Sequence, residues 1–374
     1  MQKKKILIFL SVIILIYSCG NENNNERDLL EIPVDIDQKG IPFPFNEITE
    51  GEITAIELEL TDESVLGGVG VALLCNDYII IIGAFPFEDL FVFSMEGKFI
   101  RKINYKGQGP GELSRLNKIA VDEKENHLYM IGNKKIVCYD LNGKFLKEFT
   151  SLLQEQFILS AMNFVNNELL ILGDRYVENA GENYKQSVLY KLNHELQLLD
   201  SYTIKSERLG EVVRYVYTVP AFDNYLCNID SAIYLYCPEH LPLKETPKLL
   251  RDTLYRFENN RLIPELKLKF KYSDNNLLAN KNLRIRNIFR SSRYVFIDYT
   301  VVDWKTAYLY CYDLKTKKAY NVDLSPEDNT DLAKHIFLRQ FYNNSDMFYY
   351  TLTHISPDDL EEPNPTLYIG KFKK

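Results

Sequence analysis

Leu128-Tyr129-Met130-Ile131, then Lys135-Ile136-Val137-Cys138-Tyr139-Asp140-Leu141-Asn142-Gly143-Lys144-Phe145-Leu146, is the stretch whose reading decides the fold. It reads as apolar strand, loop, apolar strand, tight turn and strand. Aromatic and β-branched residues fill the runs, as suits a pleated, packed surface. Asn142-Gly143 is a hairpin signal, because both central residues of a type I′ turn need positive φ. The same pattern stands upstream in Asp77–Ile82 and Leu90–Ile100. There Gly97-Lys98-Phe99 precedes Gly143-Lys144-Phe145 by 46 residues, a blade-length period.

Weaker copies follow the same order. Glu168–Leu172 pairs with Ser187–Leu192, and Ala232–Tyr236 with Asp252–Phe257. Arg293–Ile297 pairs with Ala307–Asp313, and Asp346–Tyr350 with Thr366–Gly370. Six aromatic-rich strand pairs predict an all-β, six-bladed β-propeller of four-stranded antiparallel blades, since one blade cannot bury both faces of its own sheet. Glu52–Leu60 alternates polar and apolar, and is expected to close the ring by pairing with the C-terminal strands. Asp331–Phe341 reads as a short helix. Two separate β-domains are the rival architecture, but no Pro/Gly/Ser-rich linker divides the chain.

The N-terminus combines Lys3-Lys4-Lys5 with an apolar run from Ile6 to Ile16, too short to span a bilayer. It ends Leu15-Ile16-Tyr17-Ser18-Cys19-Gly20, which resembles the lipobox of bacterial lipoproteins. That resemblance implies cleavage before Cys19 and acylation of its thiol, with palmitate among the acyl chains and the membrane as a partner through the lipid anchor. The alternatives are a plain secretory signal and a single-pass anchor. Gly20, where lipoproteins kept at the inner membrane often carry Asp, points to the outer membrane. The expected division is a signal peptide over 1–18, lipidated Cys and flexible tether over 19–45, and the propeller over 46–374. The polar run Gly20–Asp28 cannot bury enough apolar surface to order itself.

With 44 Lys and Arg against 52 Asp and Glu, the chain carries −8 and lacks the basic face that nucleic acid requires. Tyr (26) and Phe (21) far outnumber the single Trp, which again favours strands. Besides Cys19 there are Cys75, Cys138, Cys227, Cys237 and Cys311, with no Cys-x-x-Cys pair. Cys75, Cys138 and Cys311 read as small buried hydrophobes, and Cys227 with Cys237 is the pair to check for a disulfide.

Tyr105-Lys106-Gly107-Gln108-Gly109-Pro110-Gly111-Glu112-Leu113 leads into Ile119-Ala120-Val121-Asp122. This resembles an NHL-type repeat. Together with the Gly-Lys-Phe turns it is similar to the six-bladed propeller lipoproteins of gut-type Gram-negative bacteria, over about residues 78–149 and 252–270. The resemblance implies the propeller fold and an envelope location, and brings no catalytic residues with it. The loop lacks the Gly-Lys-Ser/Thr of a phosphate-cradling loop, so its glycines are expected to serve positive-φ turns.

Candidate ligand-binding residues are Gln108, Glu112 and Arg115 beside that loop, Asp174 and Arg175 after the strand at Leu169, and Asp303 with Trp304; Asp230 and Asp298 stand beside these. Each has a plainer reading as an inter-blade ion pair, turn residue or rim charge. Two extended loops, Arg175–Gln186 and Cys237–Arg251, are the expected recognition segments. His127, His194, His240, His335 and His354 form no His-x-x-x-His pair. No nucleophile elbow occurs. Three functions remain open: a monomeric, non-catalytic lipoprotein binding a glycan, peptide or envelope protein; a metal-dependent hydrolase or lyase of the lactonase-like kind; and a structural subunit of an outer-membrane complex. The second would hold an ion such as Ca²⁺ at the axis, at about 2.3–2.6 Å from its oxygen ligands. No cofactor is otherwise expected.

Overall fold

The N-terminal part of the fold supplies β1 (Leu30–Asp35), a helical turn α1 (Phe45–Ile48) and β2 (Thr49–Glu57). The chain then lays down β3 (Val69–Cys75), β4 (Tyr78–Gly83), β5 (Leu90–Ser94) and β6 (Phe99–Ile103) as blade 1. Blade 2 is β7 (Lys118–Asp122), β8 (His127–Gly132), β9 (Lys135–Asp140) and β10 (Phe145–Thr150). Blade 3 is β11 (Ile158–Val165), β12 (Glu168–Asn179), β13 (Glu182–Asn193) and β14 (Leu198–Arg208). Blade 4 is β15 (Leu226–Ile229), β16 (Ala232–Tyr236), β17 (Thr253–Glu258) and β18 (Arg261–Lys271). Blade 5 is β19 (Leu283–Arg290), β20 (Tyr294–Val301), β21 (Ala307–Asp313) and β22 (Ala319–Asp323). Blade 6 is β23 (Arg339–Gln340), β24 (Met347–Leu352), β25 (Thr366–Phe372) and, as its outermost strand, β2.

This computed structural model describes residues 29–84, 88–132, 135–150, 157–208, 225–230, 232–238, 251–271, 283–301, 307–324, 338–353 and 363–374. The signal and lipidation readings, Cys19 included, lie outside them.

The fold is the six-bladed β-propeller that the repeats predict. Every one of the six expected strand pairs is the second and third strand of a blade. β2 closes the ring on β25, with Thr49 opposite Phe372 and Glu57 opposite Thr366. Burial explains why the middle strands were the legible ones. β4 (Tyr-Ile-Ile-Ile-Ile-Gly) is buried from Ile79 to Gly83, because both of its faces meet other sheets. β10, on the outside of blade 2, is exposed at Phe145, Leu146, Glu148 and Thr150. Described apolar clusters lie between blades 1 and 2, 2 and 3, 5 and 6, and 6 and 1. Each buried Ile, Leu or Val there contributes about 1.5–3 kcal/mol against exposure.

Four expectations are corrected. The tether was expected over 19–45, yet Leu30–Asp35 forms β1, a fifth strand on the outer edge of blade 4. Ile32 and Val34 are fully buried there, and this apolar pair is what orders the segment. Ile41 adds a bridge to Val322 on the edge of blade 5, so the segment before residue 46 belongs to the domain. The Asn142-Gly143 turn is not type I′: only Gly143 has positive φ (81°), while Gly143 N–H bonds Asp140 O and Asp140 N–H bonds Lys144 O. That is a three-residue loop with its glycine at the bulge, repeated at Gly97 (φ 84°). The Arg175–Gln186 loop is a continuous hairpin, paired from Glu168↔Asn193 to Asn179↔Glu182. Within the expected helix over 331–341, Arg339–Gln340 is the inner strand of blade 6; residues 331–337 lie outside the described ones.

Candidate functional site

In each blade the turn between the first and second strands falls on one face of the ring. On that face the turn after β23 bonds residues of other blades. Asn163 of blade 3 donates from Nδ2 to Tyr342 O at 3.0 Å. Asn228 N–H of blade 4 donates to Ser345 Oγ at 2.9 Å. Asn343 Nδ2 bonds Leu74 O of blade 1 and Glu123, just beyond the inner strand of blade 2. Gln340 Nε2 donates to Arg290 O of blade 5 at 2.8 Å. Gln340 and the turn that follows it therefore bond all five other blades at this end of the ring.

The opposite face carries the hairpins between second and third strands, together with the links from blade to blade. Among the described strands β12 and β13 of blade 3 are the longest, at 12 residues each. Its register sets Asp174 opposite Ser187 and Tyr176 opposite Lys185. Lys185 in turn faces Glu207, and Ser187 faces Lys205. Directly opposed residues share a sheet face, so these side chains form one polar surface. Blade 4 adds Arg251, just ahead of β17.

The cluster is buried and charged. Ser187 Oγ donates to Asp174 Oδ1 at 2.6 Å. Arg251 donates through Nη2 to Glu207 Oε2 (2.7 Å) and through Nη1 to Ser187 Oγ (3.3 Å), Cys237 O (3.1 Å) and Pro238 O (2.9 Å). It thereby ties both ends of the β16–β17 connection to each other and to blade 3. Lys185 Nζ sits 3.7 Å from Asp174 Oδ2 and 3.8 Å from Glu207 Oε2, with its side chain only 2% exposed. Lys205 pairs with Glu207 at 2.9 Å. Burial opposes ionisation of Glu207, but Arg251, Lys205 and Lys185 outweigh it and hold its carboxyl at about 2. Burial pushes the Cys237 thiol and the Tyr176 phenol up to about 12 each. Asp174 Oδ2 and Tyr176 OH are buried without a hydrogen-bond partner.

Of the sequence candidates, Asp174 alone enters this cluster. The pleat turns Arg175 to the other sheet face, where Nε bonds Gln186 Oε1 (3.0 Å) and Nη1 bonds Tyr190 OH (3.3 Å). Gln108 and Arg115 are exposed on the link between blades 1 and 2. Glu112 accepts from Gly109 N–H at 2.9 Å, and its carboxylate occupies the space over Gly107 where a Cβ would stand. Gly111 adopts φ 77°, as a turn glycine should. Asp298 is held by Arg286 through two bonds of 2.8 and 2.7 Å. Asp230 is an αL turn residue (φ 53°). Asp303 and Trp304 lie outside the described residues. Cys227 and Cys237 are both buried free thiols. Among the described residues, no group of three or more His, Cys, Asp or Glu is placed to hold a metal ion.

Lys185, Ser187 and Glu207 were missed. They read as ordinary alternation until Ala180-Gly181 is recognised as the turn, after which Asp174 and Ser187 are equidistant from it. Nothing local in the sequence marks Arg251.

Residues 30–369 match the family described as Domain of unknown function (DUF4934). No curated protein matches the chain. Among solved structures, a Bacteroides fragilis chain described as an exported protein superposes with TM-score 0.65 at 19% identity, over 92% of this chain and 100% of that one. The extracellular domain of a one-component system from B. thetaiotaomicron gives TM-score 0.42 at 14% identity, over 83% of this chain and 34% of that one. The β-propeller domain of the Trilobed protease from Pyrococcus furiosus gives 0.38 at 12%, over 82% of each. The first is a likeness of fold, and the other two are too distant to add to it.

Proposed function

We propose that this chain, which belongs to the DUF4934 family, is a monomeric cell-envelope lipoprotein that binds a glycan, peptide or partner protein without catalysis. Binding uses the propeller face that carries the β12–β13 hairpin and the Arg251 cluster. The observation behind the choice of face is Gln340 with the turn at Phe341–Asp346, which together bond the five other blades at the other end of the ring. On the chosen side Arg251 fixes the base of a long connection, and rigid scaffolds display recognition segments in this way. The anchor rests on Ser18-Cys19-Gly20 after the apolar run, and acyl chains on Cys19 would hold the protein firmly at an outer membrane.

Two measurements test the two parts separately. Palmitate labelling of the full chain should be lost in Cys19→Ala, with the protein passing from membrane to soluble fractions; unchanged fractionation sinks the anchor. Screening the Cys19→Ala chain on glycan and peptide arrays should give a ligand whose affinity falls in Arg251→Lys. Hits indifferent to that change would move the binding face elsewhere.

A further inference from the structure

Lys185 presents an unusual arrangement. Its ammonium is almost wholly buried, yet both neighbouring carboxylate oxygens stand beyond hydrogen-bond reach, at 3.7 and 3.8 Å. Beside it, Asp174 Oδ2 lacks a donor and the buried Tyr176 OH makes no hydrogen bond. Tyr176 is directly opposite Lys185 and two residues from Asp174 on the same strand, so all three belong to one face of blade 3. The Asp174 charge also acts on the Tyr176 phenol. Leaving such groups unpaired in a buried site is unfavourable, and more so for charges.

We propose that Lys185, Asp174 and Tyr176 form a site for one amphiprotic oxygen, a group that accepts and donates at once. Such an oxygen accepts from the Lys185 ammonium and donates its proton to Asp174 Oδ2, with Tyr176 OH as third partner. At 3.7 Å the Lys185–Asp174 pair is too long for a direct hydrogen bond, and an oxygen set to one side of the line between them reaches both. A carboxylate or phosphate ligand meets Asp174 as a like charge, and an ammonium meets Lys185. A single neutral O–H satisfies both. Two sources supply it: a water molecule, or a hydroxyl of a polyol ligand such as a sugar. The hydroxyl source rests on the binding function proposed above, whereas the water source does not.

The test is a high-resolution crystal structure of the Cys19→Ala chain grown without polyols, together with calorimetric titration of glucose and galactose into the same protein. Density for one oxygen within about 3 Å of Lys185 Nζ and Asp174 Oδ2, with no heat from either sugar, assigns the site to water. Saturable heat that weakens about fivefold or more in Tyr176→Phe assigns it to a ligand hydroxyl. Tyr176→Phe removes one hydroxyl and leaves the ion pairs intact, so it reports even where Lys185→Met fails to fold. A direct Lys185–carboxylate bond below about 3.2 Å with nothing between, and no sugar heat, overturns the proposal whether or not the chain is a lipoprotein.

Discussion

Asn163 Nδ2 and Tyr342 O meet at 3.0 Å across 179 residues of sequence, joining the inner strand of blade 3 to the turn of blade 6. Asn163 is 2% exposed, so its amide has no access to water in compensation. Replacing it with Ala removes the bond between the two blades and should lower unfolding free energy by about 0.5–1.5 kcal/mol. Urea denaturation of Asn163→Ala checks this, and an unchanged midpoint would show that the closure is not load-sharing.

Arg251 should matter more. Its guanidinium serves Glu207, Ser187 and two carbonyls at once, and its side chain is 5% exposed. Truncation to Ala leaves Glu207 with only Lys185 and Lys205, inside a partly dry junction. The expected loss is about 3–5 kcal/mol, the range for breaking a buried ion pair. A double-mutant cycle with Glu207→Gln should recover part of it, because the second change removes the stranded charge.

The same carboxylate gives an acid-stability signature. Glu207 titrates near 4.5 when unperturbed and at about 2 in the fold. A depressed folded-state value stabilises above the unfolded one, so the contribution is complete above pH 4.5. It is lost progressively as pH falls through 2, and amounts to about 3 kcal/mol at most. Asp313, held well below the usual range despite burial by Arg293 and Thr316, acts in the same direction. Between pH 5 and 2 the unfolding free energy of Glu207→Gln should therefore fall less steeply than that of the parent. Parallel curves would exclude Glu207 as a source of acid sensitivity.

Gly97 and Gly143 occupy matching turns with nearly equal φ, 84° and 81°, but a methyl group would meet different surroundings. At Gly143 the nearest atom is Ile103 Cγ1 at 3.8 Å, so Gly143→Ala pays only for left-handed backbone, about 1–2 kcal/mol. At Gly97 the new Cβ collides with the Glu57 carbonyl and lies 2.9 Å from Ile56 Cγ2. Thermal unfolding should place Gly97→Ala well below Gly143→Ala. Equal melting temperatures would mean that the β2 strand yields freely at the ring closure.

The sequence by itself determined the blade count, the second and third strands of every blade and the closing strand. Strands buried on both faces must be apolar throughout, and the turns between them need αL residues, so both leave local marks. It also carried the turn reading of the Gly107–Gly111 loop. The tertiary structure decided which polar residues meet. β1 lies beside β18, although more than two hundred residues separate them, and no short-range pattern encodes that pairing. Asp174 and Arg175 are neighbours in the chain, yet the pleat sends them to opposite faces. Arg251, which shares Ser187 with Asp174 and Glu207 with Lys185, comes from the next blade. Burial writes itself into composition one strand at a time, whereas a charge cluster depends on register and on the packing of one sheet against another.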